Sequence, residues 1–239
     1  MKSAIITGAS SGIGRAIAYE LAKNNYNLLL IARRENLLSR ICQDLENTYK
    51  IKAKYIVMDL SKNNDFSYVK NYFLETFDSL DVLVNNVGIG YYGQIENISL
   101  ENLEKLFWTN LFSHIFITKE LVPIMKQQGY GIIVNIISLI AFFPLKNWSI
   151  YSSTKCAQMG FFKSLRRELY RHKIKVINVY PGATETEFFN SLELPYNFPK
   201  LDKAEKVAQK VIKAIKRNRN SEVFISFSHW LFHKLSVWI

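Results

Sequence analysis

Cysteine is scarce in this 239-residue chain, which has two, Cys42 and Cys156, with no CxxC spacing and no histidine companion. That excludes a disulfide framework, argues against a zinc site, and fits a reducing, cytoplasmic setting. Long apolar runs are also missing. The most apolar internal stretch, 132–145, is broken by Asn135 and Ser138 and falls short of the ~20 residues a membrane span needs. At the N-terminus, Met1 and Lys2 lead straight through Ala4, Ile5 and Ile6 into a glycine turn, so no secretory signal is expected. No repeat, low-complexity segment or linker divides the chain, and one domain covering residues 1–239 is predicted.

Acidic residues are in deficit, 20 against 31 Lys and Arg, for a net charge of +11. The excess is local: residues 200–219 hold eight basic and two acidic side chains, and residues 1–199 carry only about +5. Basic residues do not alternate with aromatics, and neither helix-turn-helix nor zinc-finger spacing occurs, so nucleic acid is not an expected partner.

What the chain has is alternation. Short branched runs at 4–7, 28–32, 55–58, 82–85, 132–136, 176–180 and 223–227 predict seven buried strands. Stretches of helical period lie between most of them, such as Ile13, Ile17 and Leu21, or Leu103, Leu106 and Leu111. Strands apolar on both faces and joined by helical crossovers predict an α/β fold, a doubly wound (Rossmann-like) parallel sheet of about seven strands with helices on both faces.

The first strand runs into Thr7-Gly8-Ala9-Ser10-Ser11-Gly12-Ile13-Gly14, and a helical period begins at once. Glycines let backbone approach a pyrophosphate, and the helix N-terminus offers unpaired N–H groups, so a dinucleotide is the expected ligand. An ordinary tight turn is the alternative. The second strand ends in Ala32-Arg33-Arg34, where an acidic residue would accept from the ribose hydroxyls of NAD. A guanidinium there suits a 2'-phosphate and predicts NADP(H) over NAD(H), unless both arginines are solvated loop residues. Tyr151 and Lys155 are four apart and share a helix face, where an ammonium would lower the phenol's pKa. Ser138 leaves the fifth strand at the sheet edge where ligands bind, placed to hold a substrate oxygen.

These residues resemble the short-chain dehydrogenase/reductase family. TGASSGIG is similar to its Thr-Gly-x-x-x-Gly-x-Gly signature. Asp59, Asn85-Asn86-Val87-Gly88, Asn110, Ser138, Tyr151-Ser152-Ser153-Thr154-Lys155 and Pro181-Gly182 follow in the family's order. Val87 departs from the usual alanine of the Asn-Asn-Ala-Gly turn and removes no chemical group. The resemblance implies that Tyr151 is the proton donor for carbonyl reduction, that Ser138 orients the carbonyl, and that Lys155 also bonds the nicotinamide ribose. It implies that Asn110 binds a water linking Lys155 to solvent, with a packing asparagine as the alternative. Asp59 would accept from the adenine amino group, with Asn86 beside the adenosine half and Asn85 a bond between strands. Leu60, Gly88, Pro181 and Gly182 complete the implied cofactor contacts, with Thr184 and Thr186 on the carboxamide or phosphates. A homo-oligomer, dimer or tetramer, is implied as well.

For the substrate, segments 89–95, 139–149 and 183–201 supply Tyr91, Tyr92, Phe142, Phe143, Trp148, Phe188, Phe189, Tyr196 and Phe198, a wall that favours an apolar carbonyl compound. Segment 183–201 is either a substrate lid or a surface excursion. Cys156 is expected off the active face as a packing residue. The family's ketoacyl reductases end the seventh strand in a glycine-rich turn that this chain lacks, which argues against fatty-acid synthesis. The apolar extension from about residue 228, with Trp230 and Trp238, follows a lysine-rich helix. Together they suggest peripheral membrane contact or pocket closure, against a plain reading in which Val207, Val211, Ala214 and Ile215 form the buried stripe of a surface helix. A non-catalytic dinucleotide-binding protein and a membrane-surface interaction module are the alternatives to a reductase, and no metal is expected.

Overall fold

The computed structural model describes residues 1–192, 194–195 and 201–225. Its strands are β1 (Ser3–Thr7), β2 (Asn27–Ala32), β3 (Ala53–Val57), β4 (Val82–Asn85), β5 (Gly131–Ile136), β6 (Ile174–Tyr180), the short β7 (Thr184–Glu185) and β8 (Asp202–Lys203), and β9 (Ser221–Phe224). The helices are α1 (Gly12–Lys23), α2 (Glu35–Tyr49), α3 (Ser67–Thr76), α4 (Leu100–Phe107), α5 (Ser113–Gln128), α6 (Ser149–Glu168) and α7 (Ala204–Lys216). Seven strands form one parallel sheet in the order β3-β2-β1-β4-β5-β6-β9, and β7 pairs with β8 apart from it.

Side-chain alternation along each strand sorts the helices. In β1, Ala4 and Ile6 face a core built from Ile17 and Leu21 of α1, Leu38 and Leu45 of α2, and Val207 and Val211 of α7. Ile5 faces the opposite core, with Phe73 of α3, Leu121 and Met125 of α5, and Phe162 of α6. Both faces are therefore covered, as all-parallel sheets require. The chain winds outward from β1 to β3, then returns to place β4 on β1's other side. The crevice between the C-terminal ends of β1 and β4 is the switch point where such sheets bind ligands.

Three asparagines lock the middle of this edge. Asn85, Asn135 and Asn178 lie in register on β4, β5 and β6 and are fully buried. The Asn85 amide donates to Asn135 Oδ1 at 3.1 Å and to Thr118 Oγ1 at 3.0 Å, and Asn135 Nδ2 donates to Asn178 Oδ1 at 3.0 Å. The expected strand-to-strand role of Asn85 is thus seen, with two partners the sequence reading did not single out. Removing the middle member strands a buried donor on one side and an acceptor on the other, each costing about 1–3 kcal/mol. Asn135→Ala should therefore lose roughly 2–6 kcal/mol in denaturant unfolding, and replacing all three by apolar residues should recover part of that loss.

Candidate active site

The glycine turn is shaped by contacts that leave no room for side chains. Gly8 has φ of +64° and Gly12 of +54°, in the left-handed region where a Cβ is penalised. A Cβ on Gly14 would lie 2.3 Å from the Gly8 carbonyl oxygen and 2.4 Å from Asn86 Nδ2. The turn is clamped from β4: Asn86 Nδ2 donates to the carbonyls of Thr7 at 2.9 Å and Gly8 at 3.2 Å, and the Asn86 and Val87 N–H groups donate to Thr7 Oγ1. Asn86 lines the cleft as expected, but both its amide hydrogens hold the turn. Thr7 is a structural partner that sequence reasoning missed.

The two arginines diverge. Arg34 is bound: Nη1 meets Glu187 at 2.7 Å, and Nη2 donates to Ser11 Oγ at 2.8 Å and Ser10 Oγ at 3.1 Å. The guanidinium holds the Glu187 carboxyl below its ordinary range. Arg33 is exposed at the cleft edge and makes no ion pair or hydrogen bond among the described residues. Asp59 faces the cleft beside it, one oxygen accepting from the Ser61 N–H at 3.1 Å and hydroxyl at 2.8 Å. Burial works to raise its carboxyl, but the Ser61 bonds, Arg33 and Lys62 bring it below its ordinary value.

Ser138, Tyr151 and Lys155 meet in the same cleft of about 760 Å³, which Gly8, Ser10, Ser11, Gly12, Ile13, Leu60, Gly88, Pro181, Gly182, Thr184 and Thr186 also line. Ser138 caps a short 3-10 turn, its Oγ accepting from the Ile140 N–H at 3.2 Å. Its hydroxyl bears on that of Tyr151 and works to lower the phenol's pKa. One turn along α6, Lys155 Nζ donates to Gln158 Oε1 at 3.1 Å and the Ile136 carbonyl at 3.4 Å. The electrostatics depart from the sequence expectation. The ammonium sits 5.8 Å from the centre of the Tyr151 ring; burial raises the phenol above its usual value, against the lowering effect of Ser138, and pushes the lysine down to about 7.

Asn110 lies in a π-turn (Trp108–Phe112) between α4 and α5, behind the cleft lining. Its amide donates to the Ile89 carbonyl at 2.9 Å and Thr154 Oγ1 at 3.1 Å, and Oδ1 accepts from the Ile89 N–H at 2.9 Å. The side chain is a strut holding the 88–89 segment, with both amide hydrogens engaged and Oδ1 the group that still faces Gly88. A Cβ on Gly88 would lie 3.5 Å from Asn110 Oδ1 and 3.6 Å from Lys155 Nζ, so the space between those groups opens at that glycine.

The far wall is aromatic. Trp148 and Phe188 pack on the Tyr151 ring at 5.6 and 5.5 Å, and Phe143 and Phe189 also line the cleft. Phe142 does not: it packs on Tyr180 and Phe224 at 4.7 and 6.0 Å, because the backbone after β5 turns it toward the sheet end. Tyr91 and Tyr92 belong to the cluster behind Trp148. Cys156 is off the active face, its thiol against the Ala141 carbonyl at 3.3 Å. Val207, Val211, Ala214 and Ile215 are the buried stripe of α7, while Lys206 pairs with Asp202 at 2.6 Å and Lys210 donates to the Phe224 carbonyl at 3.1 Å. Tyr196, Phe198, the turn after the last strand and the apolar extension from about 228 lie outside the described residues. Among the described residues no helix is long and apolar enough to cross a membrane, and no group of His, Cys, Asp or Glu is placed to hold a metal.

The fold and cleft are those of a dinucleotide-binding oxidoreductase. The short chain dehydrogenase family model matches residues 2–197, and the chain belongs to that family. An NADP-dependent 3-hydroxy acid dehydrogenase of Schizosaccharomyces pombe is 32% identical over 189 residues, 78% of this chain and 73% of the relative. A short-chain dehydrogenase of Sphingobium yanoikuyae in complex with NADPH superposes with a TM-score of 0.90 at 25% identity, covering 100% of this chain and 94% of its own. A 3-ketoacyl-(acyl-carrier-protein) reductase of Brucella melitensis complexed with NADH gives 0.85 at 25% identity, covering 93% and 96%.

The Gly14 contact is the severest in the turn, because both atoms it meets are tied into β1 and β4. Gly14→Ala should therefore displace the turn and weaken dinucleotide binding at least tenfold in a fluorescence titration, with a lowered melting temperature. Unchanged affinity would show that the turn does not depend on this contact.

Proposed function

We propose that the chain is a cytoplasmic, NADP(H)-dependent oxidoreductase that reduces a carbonyl on an apolar substrate to an alcohol, or runs the reverse reaction, and that residues 1–239 act as one dinucleotide-binding unit in a homo-oligomer. The observation that carries this reading is the meeting of Ser138, Tyr151 and Lys155 in one cleft with the glycine turn. The turn fits a dinucleotide, since the N-cap Ser11 makes no side-chain bond to the first N–H groups of α1, and Ser10, Ser11, Gly12 and Ile13 line the cleft there. When bound, the dinucleotide supplies the hydride.

The residues divide the remaining work. The phenol carries its proton at neutral pH, and because burial makes it a weaker acid, donation from it depends on a positive charge beside it. The Ser138 hydroxyl, in the same cleft as that phenol, gives the substrate oxygen a second donor as negative charge grows on it. The Lys155 ammonium then stabilises the phenolate left behind. The gap at Gly88, open to Asn110 Oδ1 and to Lys155 Nζ, suits a water that restores the proton. Ser10, Ser11, Gly12, Ile13, Asp59, Leu60, Asn86, Gly88, Pro181, Gly182, Thr184 and Thr186 would line the dinucleotide, and Trp148, Phe143, Phe188 and Phe189 favour an apolar substrate. A binding-only protein would have no use for the assembled acid pair.

Arg33 supports the choice of NADP(H), because it is the arginine left open while Arg34 is engaged with Glu187. NADPH should bind more tightly than NADH, and Arg33→Ala should narrow the gap by about 1.5–3 kcal/mol, roughly tenfold to a hundredfold in Kd. Equal affinities in the unmodified protein would overturn the NADP(H) assignment. In turnover of NADPH against ketones and aldehydes of graded size, Tyr151→Phe should lower kcat by at least a hundredfold while cofactor affinity changes little. Undiminished turnover would remove Tyr151 from the chemistry.

A further inference from the structure

Behind Lys155 lies a buried polar chain that the reaction scheme leaves unused. Gln158 of α6 and His114 of α5 are both fully buried. Lys155 Nζ donates to Gln158 Oε1 at 3.1 Å, Gln158 Nε2 contacts His114 Nδ1, and His114 Nε2 lies 2.9 Å from the Val87 carbonyl. The two ends settle the direction of every bond. An ammonium only donates and a carbonyl only accepts. Gln158 must therefore present its oxygen to Lys155 and its NH2 to the imidazole, which accepts at Nδ1 and donates from Nε2. The backbone oxygen of the Asn86-Val87-Gly88 turn is thereby tied to the lysine through two side chains.

We propose that His114 and Gln158 are positioning residues for the reductase reaction: His114 fixes the orientation of the Gln158 amide so that its carbonyl dipole faces the Lys155 ammonium and keeps it charged. This rests on the reading of Lys155 given above. Without His114 the amide could turn over and present NH2 to the lysine, which favours the neutral amine. The imidazole orients and does not pass protons, because burial and the Lys155 charge hold its pKa at about 3, despite the bond to Val87, so it stays neutral wherever the enzyme works. Lys155 is the charged group bearing on the imidazole, Tyr151 is the other titratable group beside the lysine, and burial alone sets the lysine's shift. The acceptors that meet the charged form in that burial are the Gln158 oxygen at 3.1 Å and the Ile136 carbonyl at 3.4 Å.

The test uses substitutions that move the lysine in opposite directions. Gln158→Leu removes the acceptor and should lower the Lys155 midpoint by about one pH unit. Gln158→Glu puts a carboxylate there and should raise it. His114→Leu should lower it, and His114→Asn, which returns an amide oxygen near the Nδ1 position, should restore most of the loss. Lys155 is titrated by lysine side-chain NMR in the dinucleotide-free protein, its signal identified with Lys155→Arg, and the alkaline limb of kcat/KM for NADPH-dependent reduction is followed in parallel. Opposite displacements for the two Gln158 variants, matched in both readouts, support the proposal. Midpoints that stay put, or move the same way in both, overturn it, as does failure of His114→Asn to improve on His114→Leu. Should Gln158→Leu not fold, the two His114 variants decide the question. If the unmodified protein turns over no carbonyl, the reductase reading fails, while the NMR midpoints still judge the coupling.

Discussion

The buried charge of Lys155 is the constraint around which the site is organised. Its side chain stands on the sheet-facing side of α6, two turns from the fully buried Phe162, so the packing that seats the helix also removes the ammonium from water. A buried ammonium is tolerated only with acceptors to meet it. Here these are a β5 carbonyl, the Gln158 oxygen and the face of the Tyr151 ring. The same burial acts oppositely on the two titrating groups, raising the phenol and lowering the lysine. The two shifts run in opposite directions from one cause, so the depth of the packed edge controls the protonation of both groups together.

A second regularity is the use of asparagine at the sheet's C-terminal edge. Asn85, Asn135 and Asn178 bridge strands, Asn86 clamps the glycine turn and Asn110 braces the segment after β4. Parallel strands end here with backbone groups that have lost their ladder partners, and each must be paired if buried. A primary amide donates and accepts at once, so it can bridge two strand ends or imitate a missing strand. The rigidity of the cleft floor follows from satisfying those groups and needs no bulky side chains, which keeps the floor open for a ligand.

The strands, the glycine turn and the order of the motifs were legible in the sequence because each rests on local pattern. Branched runs mark buried strands, glycines mark a turn that must approach something closely, and a four-residue separation places Tyr151 and Lys155 on one face. What could not be read depends on contacts between distant segments. His114 and Gln158 are 44 residues apart, and although each shares a helix face with a residue that was singled out, Asn110 and Lys155, nothing local says that the faces meet. Asn110 was singled out by position, yet the assignment of its amide hydrogens awaited Ile89 and Thr154. The direction of the Tyr151 shift was missed for a related reason: the pairing with Lys155 is visible in sequence, whereas the depth of burial that raises the phenol is a property of the whole packed edge.

Arg33 and Arg34 show how far identical neighbours can diverge once the chain is folded. In sequence they offer the same charge at the same strand end. In the structure, Arg34 is turned toward the glycine turn and is matched there by Glu187, a carboxylate 153 residues further on. The two partners are 45% and 54% exposed, so the pair contributes little to stability, on the order of 0–1 kcal/mol. Its consequence is geometric. It ties the segment carrying Phe188, which packs on the Tyr151 ring, to the serines of the glycine turn, so the aromatic wall and that turn share one fixed point. It also engages one guanidinium and leaves the other without an ion pair at the rim of the cleft, with the Asp59 carboxylate nearby.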